Sequence, residues 1–225
     1  MKGIIMEGSK TPLSIWFQML YDFTTFTNGV SAVVMKQRFG LSYNCAYDIG
    51  MTIRRRMREA PMPKLSGIVE VDETFYGGHK ELDRSKGQYG IGDKLVILGM
   101  KQRDELVYMF LIENKNAETI LPFIYKHVEK GSVIHHDGNP VYNKLEGYSL
   151  KLVRKKNSKP FRNGIHNNNI ENMWHRFKWE SIPTYGYIGK DNLQQYLYEF
   201  CFRKNMGLLF DSFMDMFYFL VFSGR

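Results

Sequence analysis

Only two cysteines, Cys45 and Cys201, occur in 225 residues. They stand far apart without metal-ligand spacing, so they read as thiols in a reducing compartment and not as a disulfide frame or a zinc site. Long apolar runs are scarce. The most apolar stretch, FDSFMDMFYFLVF at 210–222, is interrupted by Asp211 and Asp215 and is too short to span a bilayer. It reads as a terminal helix that packs on the domain or on a partner. A basic n-region with a long apolar segment behind it is also missing from the start, so no signal peptide is expected. No G-x-x-x-x-G-K-[ST] loop and no G-x-S-x-G elbow occurs. Gly77, Gly78 and the glycines at 87, 90 and 92 do not make a nucleotide fingerprint. A cytoplasmic protein without membrane partners is the expectation.

Positive charge is in excess. Lysine and arginine number 31 against 23 acids, a net charge of +8 with a pI near 9.3. That balance favours a polyanionic partner, with nucleic acid ahead of membrane.

Residues 12–59 carry three helical patterns. Pro12 suits a first turn, Gly40 breaks the second pattern, and Ser42 offers an N-cap to the third. A short helix, a glycine-centred turn and a capped second helix match a helix-turn-helix. Tyr43, Asn44 and Tyr47 would then enter a major groove, and Arg54, Arg55, Arg56 and Arg58 would reach phosphates. A plain helical support with a solvated arginine face fits the same pattern. APMPK at 60–64 reads as a linker.

Strand patterns follow. GIVEVDETFY alternates, with Ile68, Glu70 and Asp72 on one face and Val69, Val71 and Glu73 on the other. YGGHKELDRSKGQYGIGDK reads as a polar, glycine-rich loop. LVILGMKQ and ELVYMFLIE form two strands joined at RDE. A helix at NAETILPFIYKHVEK, a strand ending at Asp137-Gly138, a further strand and two helices complete the chain. This order is that of an α/β domain of the RNase H-like class, a mixed five-stranded sheet with flanking helices, preceded by a small all-α helix-turn-helix-like segment. The domains expected are 1–62, 63–206 and a C-terminal apolar tail at 207–225.

Asp72 interrupts an apolar strand, where an ionised carboxylate is costly unless a cation or several donors meet it. Asp137 ends another strand. Each has an ordinary reading, an exposed strand acid for the first and turn chemistry for the second. At about 100° per residue, Ile170, Met173, Trp174 and Phe177 share one apolar arc of HNNNIENMWHRFKWE (166–180). Glu171, His175 and Lys178 share an adjoining polar arc, with Asn168 beside it. Spaced like this, the polar residues also suit a plain surface flank. Together, an acid on a first strand, one at a later strand end and one on a following helix suit a pair of divalent ions. All-oxygen ligation points to Mg²⁺ or Mn²⁺. His135 and His136 alternate across their strand, so at most one faces such a site. Lys151, Arg154, Lys155, Lys156, Lys159 and Arg162 form an acid-free basic run, and Phe161 and Trp174 offer stacking surfaces for a nucleic acid.

VEVDETFYGG, HHDGNPVY, HNNNIENMWHRFK and YLYEFCFRKN resemble, in order and approximate spacing, motifs of the bacterial ISXO-type insertion-sequence transposases of the DDE superfamily. The resemblance spans roughly residues 10–206. It implies an RNase H-like catalytic domain that cleaves and transfers DNA strands with divalent metal. By motif, Asp72 and Asp137 correspond to the first two catalytic acids, with Glu171 and Lys178 as the third acid and its basic companion. Some members place an asparagine third, which keeps Asn168 open. The implied partners are transposon-end and target DNA, on which the protein works as a homo-oligomer near the nucleoid. Members usually begin with a cysteine-rich zinc ribbon, and its lack here makes a truncated copy or a misassigned start the expectation. An inactive DNA-binding relic and a metal-dependent nuclease are the competing readings.

Overall fold

The computed structural model describes residues 3–77, 94–153 and 164–222 in full, and 80–83 and 88–91 as backbone. Its chain forms two compact units, Met62–Trp174 and Met1–Pro61 with His175–Arg225.

The first of these is built on a sheet. Strands β1 (Ile68–Tyr76), β4 (Leu95–Gln102), β5 (Val107–Ile112), β6 (Val133–His136) and β7 (Ser149–Leu152) lie in the order β5-β4-β1-β6-β7. The β1–β4 and β4–β5 pairs are antiparallel, whereas β1–β6 and β6–β7 are parallel. This is the mixed five-stranded α/β sheet expected from the sequence. An antiparallel strand pair, β2 (Lys80–Asp83) and β3 (Gln88–Ile91), lies in the stretch expected to be a loop. Its polar, glycine-rich sequence carries no apolar alternation to announce it.

Burial explains the order. In β4, Ile97, Leu98 and Met100 have no exposed surface, consistent with a central strand covered on both faces. Each such side chain gains about 1.5–3 kcal/mol from leaving water. Helix α4 (Ala117–His127), capped by Asn116 accepting from the Thr119 amide at 2.9 Å, covers one face, where Phe110 meets Phe123 and His127. The first turns of helix α5 (Asn168–Tyr185) cover the other, burying Ile170 and Trp174. The alternation of β1 sorts its acids between these faces, sending Glu70 and Asp72 toward α5 and Glu73 toward the α4 side.

The second unit is helical. It contains α1 (Leu13–Thr25), α2 (Ala32–Phe39), α3 (Tyr43–Met57), the later turns of α5, α6 (Lys190–Leu209) and α7 (Phe213–Val221). Ser31 and Ser42 accept from the Val34 and Cys45 amides at 3.3 and 3.2 Å and start α2 and α3. Gly40, at φ +65°, ends α2 in the left-handed conformation that glycine adopts without strain. Trp16, Leu20, Phe23, Ile53, Phe202 and Leu220 share its core. Thus α7 is anchored by Leu220 and Val221, and α6 runs through the 206/207 boundary expected from sequence. Among the described residues no helix is long and apolar enough to cross a membrane.

Candidate active site

Asp72 lies within β1, and Asp137 follows the last residue of β6. The parallel register pairs Ile68 with Val133 and Glu70 with His135. The same offset carried two residues further sets Asp137 alongside Asp72. Burial raises the Asp72 carboxyl to about 6, a donor from Trp174 pulls it down, and the charge of Asp137 pushes it up again. Trp174 Nε1 donates to Asp72 Oδ2 at 3.1 Å. Asp137 is exposed, and its Oδ1 accepts from the Asn139 amide at 3.3 Å in a local turn.

Glu171 is half-buried in the first turn of α5, one turn before Trp174. Three residues along a helix keep side chains on neighbouring faces, so the contact that ties Trp174 to Asp72 also brings the Glu171 turn to the same sheet face. Asn168 is exposed at the helix start. Lys178 sits seven residues beyond Glu171, half-buried, in the part of α5 that belongs to the helical unit.

Two carboxylates within each other's field, with no salt bridge from a basic side chain among the described residues, suit a hard divalent cation with oxygen ligands. The fit is partial in geometry. Among the described residues no three His, Cys, Asp or Glu side chains are gathered closely enough to hold one ion. The strand register and the charge felt by Asp72 bring Asp137 near it, while Glu171 does not join them in a closed set.

The expected DNA-contacting residues divide. Tyr43 and Asn44 are exposed on the first turn of α3, and the Tyr43 ring stacks on Tyr47 at 6.1 Å. Arg55 and Arg58 are exposed. Arg54, expected at a phosphate, is instead 2% exposed, with Nε donating to Glu199 Oε2 at 2.7 Å and its guanidinium over the Tyr196 ring. Arg56 is buried too, donating to the Phe219 carbonyl at 2.7 Å. Both point inward because α3 turns these positions toward the core and α6 and α7 supply acceptors there. Trp174, expected as a stacking surface, is buried as the Asp72 donor. Lys151 is exposed on β7. Arg154, Lys155, Lys156, Lys159, Phe161 and Arg162 lie outside the described residues.

Sequence reasoning missed the partners that hold this site. Glu70 is wholly buried and receives the amides of Asn169 and Ile170. Glu73 accepts from the Tyr142 hydroxyl in the 3-10 turn Pro140–Lys144 and lies 3.5 Å from Lys115 Nζ. That hydroxyl is pushed far up by burial and by Glu73. Gly99 pairs with Asp72, and a Cβ there would sit 2.4 Å from the Trp174 ring. The available signal was the crowding of three acids into VEVDET, more than one catalytic role can use.

A family model described as ISXO2-like transposase domain matches residues 64–205. No curated protein matches the chain.

Proposed function

Because the chain belongs to the ISXO2-like transposase domain family, we propose that it is a DDE transposase that cleaves DNA at the ends of an insertion sequence and joins them to a target. The observation that carries this reading is the placement of Asp137, just past the end of β6, near enough to Asp72 on the neighbouring β1 for its charge to raise the buried Asp72 carboxyl. Mutual repulsion of this kind is relieved by divalent cations. Bound there as a pair, Mg²⁺ or Mn²⁺ would supply charge stabilisation for the entering and leaving oxygens of a phosphodiester.

Asp72 and Asp137 present oxygens from the sheet, and Glu171 from α5 provides the third corner, with Asn168 as the competing choice. Lys178 binds a DNA phosphate beside the reacting one. Cleavage by water leaves a 3′-hydroxyl on the element. That hydroxyl attacks a target phosphodiester, forming one phosphorus–oxygen bond while the target's own 3′-oxygen departs, so the bond count is unchanged. The catalytic domain comprises 63–206. The helical segment 1–62, through Tyr43, Asn44, Tyr47 and Arg55, and the basic run from Lys151 to Arg162 hold the DNA. The protein works in the cytoplasm as a homo-oligomer on DNA.

The test is nicking of end-repeat DNA by the full chain in Mn²⁺. Wild type is expected to nick, and Asp72→Ala and Asp137→Ala to lose nicking while retaining DNA affinity. Equal nicking by the variants, or none by wild type, overturns the assignment.

A further inference from the structure

Glu70 is a carboxylate with no exposed surface, two residues before Asp72 on the same face of β1. The hydrogen bonds it makes with Arg103, Asn169 and Ile170 are all ones it accepts. Its Oε2 accepts from the amides of Asn169 at 2.9 Å and Ile170 at 3.1 Å, and its Oε1 from Asn169 Nδ2 at 2.8 Å. Arg103 Nη2 and His166 Nδ1 each lie 3.3 Å from Oε1. We propose that Glu70 is a positioning residue, which clamps the first turn of α5 to β1 and thereby sets where Glu171 stands relative to Asp72. The proposal rests on the functional reading above.

A buried carboxylate is costly, and packing alone would be served by an apolar side chain. What the carboxylate adds is direction. The first amides of a helix have no partner within it and carry the positive end of its dipole, so an acid that takes two of them fixes both the height and the rotation of the helix. Rotation matters here, because a slip of one residue turns a side chain by about 100°. Glu171 is the next residue after the clamped Ile170. Three residues later Trp174 donates to Asp72. The strand therefore holds the helix at two points through Glu70 and Asp72, and Glu171 lies between them. A nearby buried amide fits the same arrangement, with Asn167 Nδ2 3.5 Å from the Val71 carbonyl.

The experiment uses full-length protein without DNA. Mn²⁺ affinity is measured by calorimetry for wild type, Asp72→Asn, Glu70→Gln, Glu171→Gln and the Glu70→Gln/Glu171→Gln double variant. Glutamine keeps the size of Glu70 but turns a donor toward donors. Glu70→Gln is expected to weaken Mn²⁺ binding by about tenfold or more, the scale of lost supporting contacts at metal sites. The double variant is expected to bind no more weakly than Glu171→Gln alone, since Glu70 acts through Glu171. In metal-free protein, amide exchange at 169–171 should accelerate in Glu70→Gln. Wild-type Mn²⁺ affinity in folded Glu70→Gln, or losses that multiply in the double variant, overturns the proposal. If Glu70→Gln does not fold, Asn169→Ala replaces it. That variant removes one donor, with a smaller loss in the same direction expected, and unchanged affinity overturns the proposal. Absence of Mn²⁺ binding by wild type, or an unaffected Asp72→Asn, instead overturns the functional reading and this proposal with it.

Discussion

Trp174 reaches back from α5 to donate its indole N–H to Asp72 across 3.1 Å. The room for that indole comes from Gly99, the residue paired with Asp72 on β4. A bulky ring, a bare backbone position and an acid thus form one unit, in which, among the described residues, the acid is held by a neutral donor and not by a cation. Such a contact orients Asp72 without cancelling its charge.

Two substitutions separate the parts of this unit. Trp174→Phe keeps most of the volume and removes the donor, and it should cost about 1–3 kcal/mol in urea unfolding. Gly99→Ala places a methyl group against a rigid ring, where overpacking costs about 1–3 kcal/mol. Both should slow Mn²⁺-dependent nicking. Wild-type stability in Gly99→Ala would mean that the indole does not occupy the space above β4.

Arg54 and Arg55 are neighbours with opposite expectations. Arg54→Met leaves Glu199 with the Tyr185 hydroxyl donating at 2.6 Å and Arg203 Nε at 3.5 Å, but without the closer Arg54 guanidinium at 2.7 Å. Losing one partner of a buried pair costs about 3–5 kcal/mol, so urea unfolding should shift strongly. Arg55→Ala should change stability by less than about 0.5 kcal/mol. It should instead weaken DNA binding and lower the salt dependence of log K by about 0.9. The reverse pattern would contradict the burial of Arg54.

His127 links stability to pH. Its ring stacks on Phe110 at 4.8 Å, and burial, with Lys126 and Lys64 nearby, pushes it down to about 4. The unfolded chain takes up that proton near pH 6.5, so between about 6.5 and 4 the unfolded state binds more protons than the folded one. Stability is therefore full above about 6.5 and falls as pH drops toward 4, by roughly 3 kcal/mol for this group. Urea unfolding of His127→Phe across this window should show a shallower acid slope than wild type. An unchanged slope would mean that other groups carry it.

The parts of the fold legible in the sequence are those in which apolar spacing records burial. The runs of β4 and β5 with RDE between them appear as a hairpin, and Asp104 takes a positive φ in its turn. Alternation along β1 put Glu70 and Asp72 on one face, and the apolar arc of α5 identified Ile170, Trp174 and Phe177, all buried. Polar partners were not legible, because periodicity says which way a side chain faces and not what it meets. Arg54 finds Glu199 from 145 residues away, and nothing in RRR distinguishes the inward arginines from the outward one. Asp72 was readable as a costly acid, yet its donor was hidden inside an apolar stripe. Glu70 was placed on the face of Asp72, but its donors at the start of α5 lie 99 residues or more along the chain.

The most direct measurement is anomalous X-ray diffraction from crystals of the full chain grown with MnCl₂. An anomalous peak is expected between the carboxylates of Asp72 and Asp137, with Glu171 drawn in as a further ligand. Crystals soaked in Mn²⁺ that show no peak there, or a peak held by side chains other than Asp72 and Asp137, would contradict it.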